Sequence, residues 1–324
     1  MGILLPPEYL VPLSPPRRRP PNWILIIASL GCTMTVLETN AVAVALPTIA
    51  RDLQADFADI EWVISCYILS FTSLLLPAGA IADRHGRRRV LLIGIALFAI
   101  SSLTCALAPT ASALYVARAF QGVGAAFLLA PSLSVIGHEF HEGKQRDDAW
   151  AFWGTAMGMM MVLSPLIGGL LSSLWGWRSV FIAILPFLAF LAYGAIRWVP
   201  DTADTVVRPL DPPGIITFSM AIFGIVFFLV EGLAQGWTSA VALAGLGLGI
   251  AMAALFTCIE LKRRHPMVDL RLLASPRFVG ALIAMIGYAV SAQVMASMLP
   301  QYLQNGVGLS ALATGAGMLP FAAA

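Results

Sequence analysis

Residues 79–90, GAIADRHGRRRV, set four arginines, a histidine and an aspartate between two apolar stretches, SFTSLLLPA (70–78) before and LLIGIALFAI (91–100) after. Charge so placed must lie in water or be held by a partner, because an unpaired ion in an apolar medium is very costly. Gly79 permits close approach of helices and Gly86 permits a tight reversal. The stretch therefore reads as a very short loop joining two helices, with Asp83 at the end of the first and Arg87 and Arg88 opening the second. An anchor whose arginines reach lipid headgroups accounts for the basic residues. It does not account for the aspartate among them.

The surrounding chain explains the apolar flanks. Of its 324 residues, 59% are hydrophobic and 11% charged, and the mean hydropathy is +0.85, whereas soluble domains carry about 25% charged residues. The apolar residues come in runs of about 20 or more, the length that crosses a ~30 Å hydrocarbon core as a helix. The pattern predicts an all-α, polytopic transmembrane helical bundle with nine complete spans, at about 23–47, 60–81, 89–108, 112–136, 149–174, 179–199, 213–234, 239–259 and 278–300. A tenth run begins near Leu309 and is cut off by the end of the chain. The opening residues, MGILLPPEYLVPLSPPRRRPPN, are too rich in proline for a signal peptide and read as a short disordered tail.

Lys and Arg in alternate loops orient the spans. With the N-terminus in the cytoplasm, sixteen of the nineteen basic residues fall on that side: Arg17, Arg18, Arg19, Arg84, Arg87, Arg88, Arg89, Lys144, Arg146, Arg197, Arg208, Lys262, Arg263, Arg264, Arg271 and Arg277. Arg51 and Arg178 fall outside, and Arg118 within a span. The expected location is the cell (inner) membrane, with the loop at 79–90 in the cytoplasm and the lipid bilayer as the surrounding medium. The formal charge of +2 gives no reason to expect nucleic acid, since the basic residues flank spans.

Glu38 and Arg118 lie deep inside spans, where ionisable groups are expensive and functional candidates by default. Glu38 lies nine residues before Pro47 and Arg118 eight residues after Thr110, depths of ~14 and ~12 Å at the helical rise. Opposite charges at similar depth can pair, either as a structural salt bridge that specifies packing or as a proton device. Desolvation favours the protonated carboxyl and a neighbouring guanidinium the ionised one, so conformation can move a proton on and off such a group.

The motifs resemble those of the major facilitator superfamily. Gly79-x-Ile81-x-Asp83-Arg84-x-Gly86-Arg87-Arg88 is similar to its loop 2–3 signature. The resemblance implies a cytoplasmic gate in which Asp83 and the arginines bridge neighbouring helices of the N-terminal half and reach across to the other half. ETNAVAVALPTIARDL (38–53) resembles the span-1 signature of the drug:proton antiporters, with Glu38 where Asp is usual and Asn40 keeping a polar group nearby. LYVARAFQGVGAA resembles the span-4 signature through Arg118, Gln121, Gly122 and Gly124, which implies a proton-coupling role for Arg118. Span 5 keeps Pro165, Gly168 and Gly169 of the antiporter signature but has Ser164 in place of the Gly before Pro. WGWRSVFIAILPF, Asp211 with Gly214, EGLAQGWTS, HPMVDLRLL and QYLQNGVGLSALATGAGMLP follow in the order of the fourteen-span branch.

The organisation thus implied is a cytoplasmic tail (1–22), an N-terminal six-helix transporter bundle (23–199), a linker with two extra spans (200–277) and the start of a second bundle (278–324), most of which the chain is expected to lack. The implied function is proton-coupled efflux of hydrophobic or cationic drug-like compounds by alternating access. A transport-incompetent fragment of such a transporter and an uptake permease of the same fold are the alternatives. The partners expected are a small-molecule substrate and protons. No enzyme activity, cofactor, metal, nucleotide or nucleic acid is expected, the proton gradient being the driving force. HEFHE (138–142) spaces its histidines three apart where a zinc helix needs four, and Cys32, Cys66, Cys105 and Cys258 lie singly in apolar runs. Gly122-x-Gly124 lacks the strand and third glycine of a nucleotide fingerprint, and no Walker sequence occurs.

Overall fold

The computed structural model describes residues 22–201, 211–263, 274–293 and 302–309, with 295, 299 and 317. The Pro/Arg-rich tail, parts of the linker, most of the tenth apolar run, and Arg17, Arg18, Arg19, Arg208, Arg264 and Arg271 of the orientation count lie outside the described residues.

Helices follow one another with short connections: α1 (Asn22–Leu53), α2 (Phe57–His85), α3 (Arg87–Ala106), α4 (Ala111–Glu139), α5 (Gly143–Trp175), α6 (Arg178–Trp198), α7 (Pro212–Gln235), α8 (Ala240–Lys262) and α9 (Pro276–Tyr288). Side chains at the helix starts satisfy amide groups that have no partner in the helix. Asp56 and Asp59 form a reciprocal capping box on α2. Thr110 accepts from Ala113 N at 3.2 Å on α4, Asp211 from Gly214 N at 3.0 Å on α7, and Ser239 from Ala242 N at 3.2 Å on α8.

Among the described residues, eight helices are long and apolar enough to cross a membrane. Large apolar side chains stand exposed around the bundle, Leu107, Phe120, Tyr193, Ile196 and Leu233 among them. Soluble monomers rarely expose so many large apolar side chains, and helices with satisfied backbones are what a bilayer demands. The ninth span, expected at 278–300, is described only in part. Helix α9 has 13 residues and passes into a wider turn at Ala289–Gln293, and the remainder of that expected span lies largely outside the described residues. Several helices also outrun the apolar stretches that predict them. α1 continues through Pro47 to Leu53, because a proline removes one amide and leaves the bonds beyond it intact.

Helix α4 is the hub. It packs along α2 on one side and α3 on the other and also touches α1, while α5 packs mainly on α1, and α6 lies against α1 and α3. α7 pairs with α8 and rests on α2. Small residues set how closely α4 fits. A Cβ at Gly122 would run into the Tyr67 carbonyl and Ser70 of α2, and one at Gly124 would lie 2.6 Å from Phe98 N of α3. One core cluster gathers Ile27, Leu91, Phe98, Leu128 and Leu191, and another Val42, Ile49, Leu114, Trp177 and Phe181.

Gly124→Leu should therefore lower the thermal unfolding midpoint of the purified protein, since overpacking costs about 1–3 kcal/mol. Gly137→Ala on the same helix, where an added Cβ meets nothing within 4 Å, should not lower it.

Candidate functional site

Polar groups of α1, α2 and α3 converge on Arg118 and Gln121 of α4. Glu38 and Arg118 are each 1% exposed, and Arg118 Nη1 donates to Glu38 Oε1. The same Nη1 donates to Gln121 Oε1 at 2.7 Å, and Arg118 Nε donates to the Val63 carbonyl of α2 at 3.1 Å. The guanidinium stacks over the Tyr67 ring at 4.3 Å, a contact that gains strength where water is excluded. Gln121 Nε2 donates to Ser102 Oγ on α3 at 2.8 Å. Glu38 Oε2 is buried without a hydrogen-bond partner among the described residues. One carboxylate oxygen is therefore held by charge and the other is left bare. Such a group can be ionised against Arg118 or neutral with a proton on the bare oxygen, and the two states bind Arg118 with different strength.

The neighbouring motif residues hold this arrangement. Gly122 and Gly124 bring α4 close enough to α2 and α3 for Arg118 and Gln121 to reach their partners. One turn along α1 from Glu38, Gly168 of α5 packs on Ala41, where an added Cβ would lie 2.5 Å from Ala41 Cα. Pro165 sits inside α5, and the buried Ser164 hydroxyl donates to the Met160 carbonyl. Gly169 is half-buried beside it. Asn40 Nδ2 donates to the Val36 carbonyl of its own helix at 2.9 Å, so it does not join the charged cluster through that bond.

The α2–α3 turn is made by a single residue, Gly86, at φ 101°, a region that favours glycine. Asp83 accepts from its own neighbour across the turn, Arg87, through Nη2 at 2.9 Å and Nε at 3.1 Å. Arg87 is 8% exposed in its side chain and Asp83 41%. Arg88 and Arg89 do not meet Asp83. They reach Asp201, just past α6, at 3.6 and 2.8 Å, and a Cβ at Gly86 would lie 2.5 Å from Asp201 Oδ1. Arg84 lies half-buried in the last turn of α2, and Gly79 faces Ala130 of α4 with room to spare. The sequence reading missed Asp201. Its one signal was a carboxylate on the arginine-rich side immediately after span 6. At the opposite end, Asp52 accepts from Trp177 Nε1 at 2.9 Å and Arg178 Nη1 at 2.5 Å, while Arg178 Nη2 donates to the Ala108 carbonyl at 3.2 Å.

Among the described residues no group of His, Cys, Asp and Glu is arranged to hold a metal ion. His141 Nδ1 lies 2.9 Å from the His138 carbonyl in the α4–α5 connection.

Comparison with known proteins sets this geometry in a family. A model of the Major Facilitator Superfamily matches residues 28–324. The chain is 33% identical over 300 residues to the multidrug resistance protein Stp of Mycobacterium tuberculosis, covering 93% of this chain and 56% of that protein. It is 33% identical over 310 residues to the multidrug efflux pump LfrA of Mycolicibacterium smegmatis, covering 95% and 61%. The chain thus spans between half and two thirds of the length of these relatives. In fold it is similar to a peptide transporter POT crystallised with sulfate, at a TM-score of 0.59 and 17% identity, over 86% of this chain and 60% of that one.

Breaking a buried ion pair strands a charge, at about 3–5 kcal/mol, whereas replacing both partners with apolar residues is often neutral or stabilising. Arg118→Met should destabilise the purified protein by about that amount. The Glu38→Met/Arg118→Met double variant should recover most of the loss in thermal unfolding.

Proposed function

The chain belongs to the Major Facilitator Superfamily, and from that premise we propose that it works as a proton-coupled exporter of hydrophobic or cationic drug-like compounds. It is a multi-pass membrane protein with the helical transporter fold. The observation that carries the proposal is the buried Glu38 carboxylate, bound to Arg118 through one oxygen and bare at the other. Export, rather than uptake, is favoured by the resistance and efflux proteins to which the chain is similar.

In the proposed cycle, Glu38 is ionised and paired with Arg118 in one state and protonated in another. Protonation weakens the α1–α4 bond and so changes the relative energies of the two states, which is the requirement for a ligand to shift a conformational equilibrium. A small-molecule substrate and the proton would use these states in alternation, with no cofactor or nucleotide involved and the proton gradient as the driving force. Residues 23–199 form the proposed moving bundle, α7 and α8 the inserted pair of the fourteen-span branch, and residues from 278 the start of the second bundle.

The arginine count supports a cytoplasmic N-terminus in the cell (inner) membrane, which puts the α2–α3 turn on the cytoplasmic side. There Arg87 holds Asp83 in place while leaving it 41% exposed. Asp83 is thus available to meet the other half when the inner gate closes, and Arg84, Arg88 and Gly86 complete the turn.

Energy-dependent ethidium efflux from cells expressing the protein tests this reading. Glu38→Gln should abolish it, and Asp83→Asn should impair it, while the amount inserted in the membrane stays unchanged. Undiminished proton-driven efflux in Glu38→Gln would remove Glu38 from the mechanism.

A further inference from the structure

The far end of the buried polar ladder rests on α3, which lies outside the stretches that carry the span-1 and span-4 likeness. Ser102 is fully buried, and its hydroxyl donates to the Phe98 carbonyl at 2.7 Å. A backbone carbonyl only accepts, so the hydroxyl proton is committed there and the Ser102 lone pairs face Gln121. Gln121 Nε2 donates to Ser102 Oγ at 2.8 Å. This turns Gln121 Oε1 toward Arg118 Nη1 at 2.7 Å and toward the Cys105 thiol at 3.7 Å. A guanidinium only donates. The chain of bonds therefore has an acceptor-only group at one end and a donor-only group at the other, and the direction of the Gln121 amide between them follows from chemistry.

The consequence concerns Arg118 Nη1, which has two acceptors, Glu38 Oε1 and Gln121 Oε1. A proton on Glu38 removes most of the first. If the amide of Gln121 could turn, its NH2 would face the guanidinium, and a buried donor would be left without an acceptor at the moment the proton binds.

We propose that Ser102 is a positioning residue of the proton site: by fixing the Gln121 amide it keeps a second acceptor on Arg118, so that the guanidinium stays in place while Glu38 carries its proton. This rests on the reading of Glu38 as the proton carrier. The other titratable or charged groups around the pair are Tyr67 and Cys66 on α2 and Cys105 on α3. Neither α5 from Ala149 to Trp175 nor α6 from Ser179 to Ala192 contributes any.

Infrared difference spectroscopy of the purified protein reads the protonated state directly, through the carbonyl stretch of a carboxylic acid that titrates in the native chain and disappears in Glu38→Gln. Losing the standby acceptor makes the protonated state dearer. In Ser102→Ala, and equally in Gln121→Met, the pH at half-appearance of that band should move toward acid by about half a unit to one unit, the size of one ordinary hydrogen bond. Ser102→Thr, which keeps the hydroxyl, should titrate as the native chain does, and all variants should match it in far-ultraviolet circular dichroism. A native midpoint in Ser102→Ala overturns the proposal and leaves the proton site standing, even if Gln121→Met shifts. Absence of any Glu38-dependent band overturns the proton site and the proposal together.

Discussion

A buried carboxylate and a buried guanidinium, Glu38 and Arg118, impose the constraint on which the rest of this bundle depends. Each ion carries a desolvation penalty of several kcal/mol even after relaxation, and only close pairing with further hydrogen bonds offsets it. The helices around the pair are placed accordingly. Glycines let α4 lie close to α2 and α3, the Val63 carbonyl and Gln121 share the guanidinium, and Tyr67 covers its face. The arrangement leaves one oxygen of Glu38 bare. A pair optimised only for stability would satisfy both, and the proposed proton exchange rests on this residual imbalance.

The bundle is tied at both ends by charged contacts that share α6. At one end Asp52 of α1 meets Trp177 and Arg178. At the other, Arg88 and Arg89 of α3 meet Asp201 just beyond α6. Exposed ion pairs of this kind add little stability singly, roughly 0–1 kcal/mol, yet each fixes which helix ends lie together. α3 then carries the arginine-rich turn at its start and Ser102 near its finish, with ~21 Å of helix between Arg88 and Ser102 at the usual rise. A change at the proposed proton site would therefore have a stiff element along which to reach the turn.

Much of this was legible in the sequence for physical reasons. Spans show themselves because a bilayer requires long apolar runs, and Glu38 and Arg118 stand out because ions in such runs are rare. Their similar depths follow from counting residues along helices. What stayed hidden depends on azimuth and packing. Asp201 lies 112 residues from Arg89, and Ser102 looks like any small helix residue until Gln121 is seen to donate to it. Helix ends such as Leu53 were misjudged because hydropathy marks where hydrocarbon stops, whereas backbone hydrogen bonding continues past it.

The central claim is that Glu38 exchanges its proton in step with substrate. The most direct measurement is proton release when tetraphenylphosphonium, a lipophilic cation, is added to the purified protein in weakly buffered detergent. The account predicts release from the native chain, largest where Glu38 is mostly protonated beforehand, and none from Glu38→Gln with binding retained. Equal release from both proteins would contradict it.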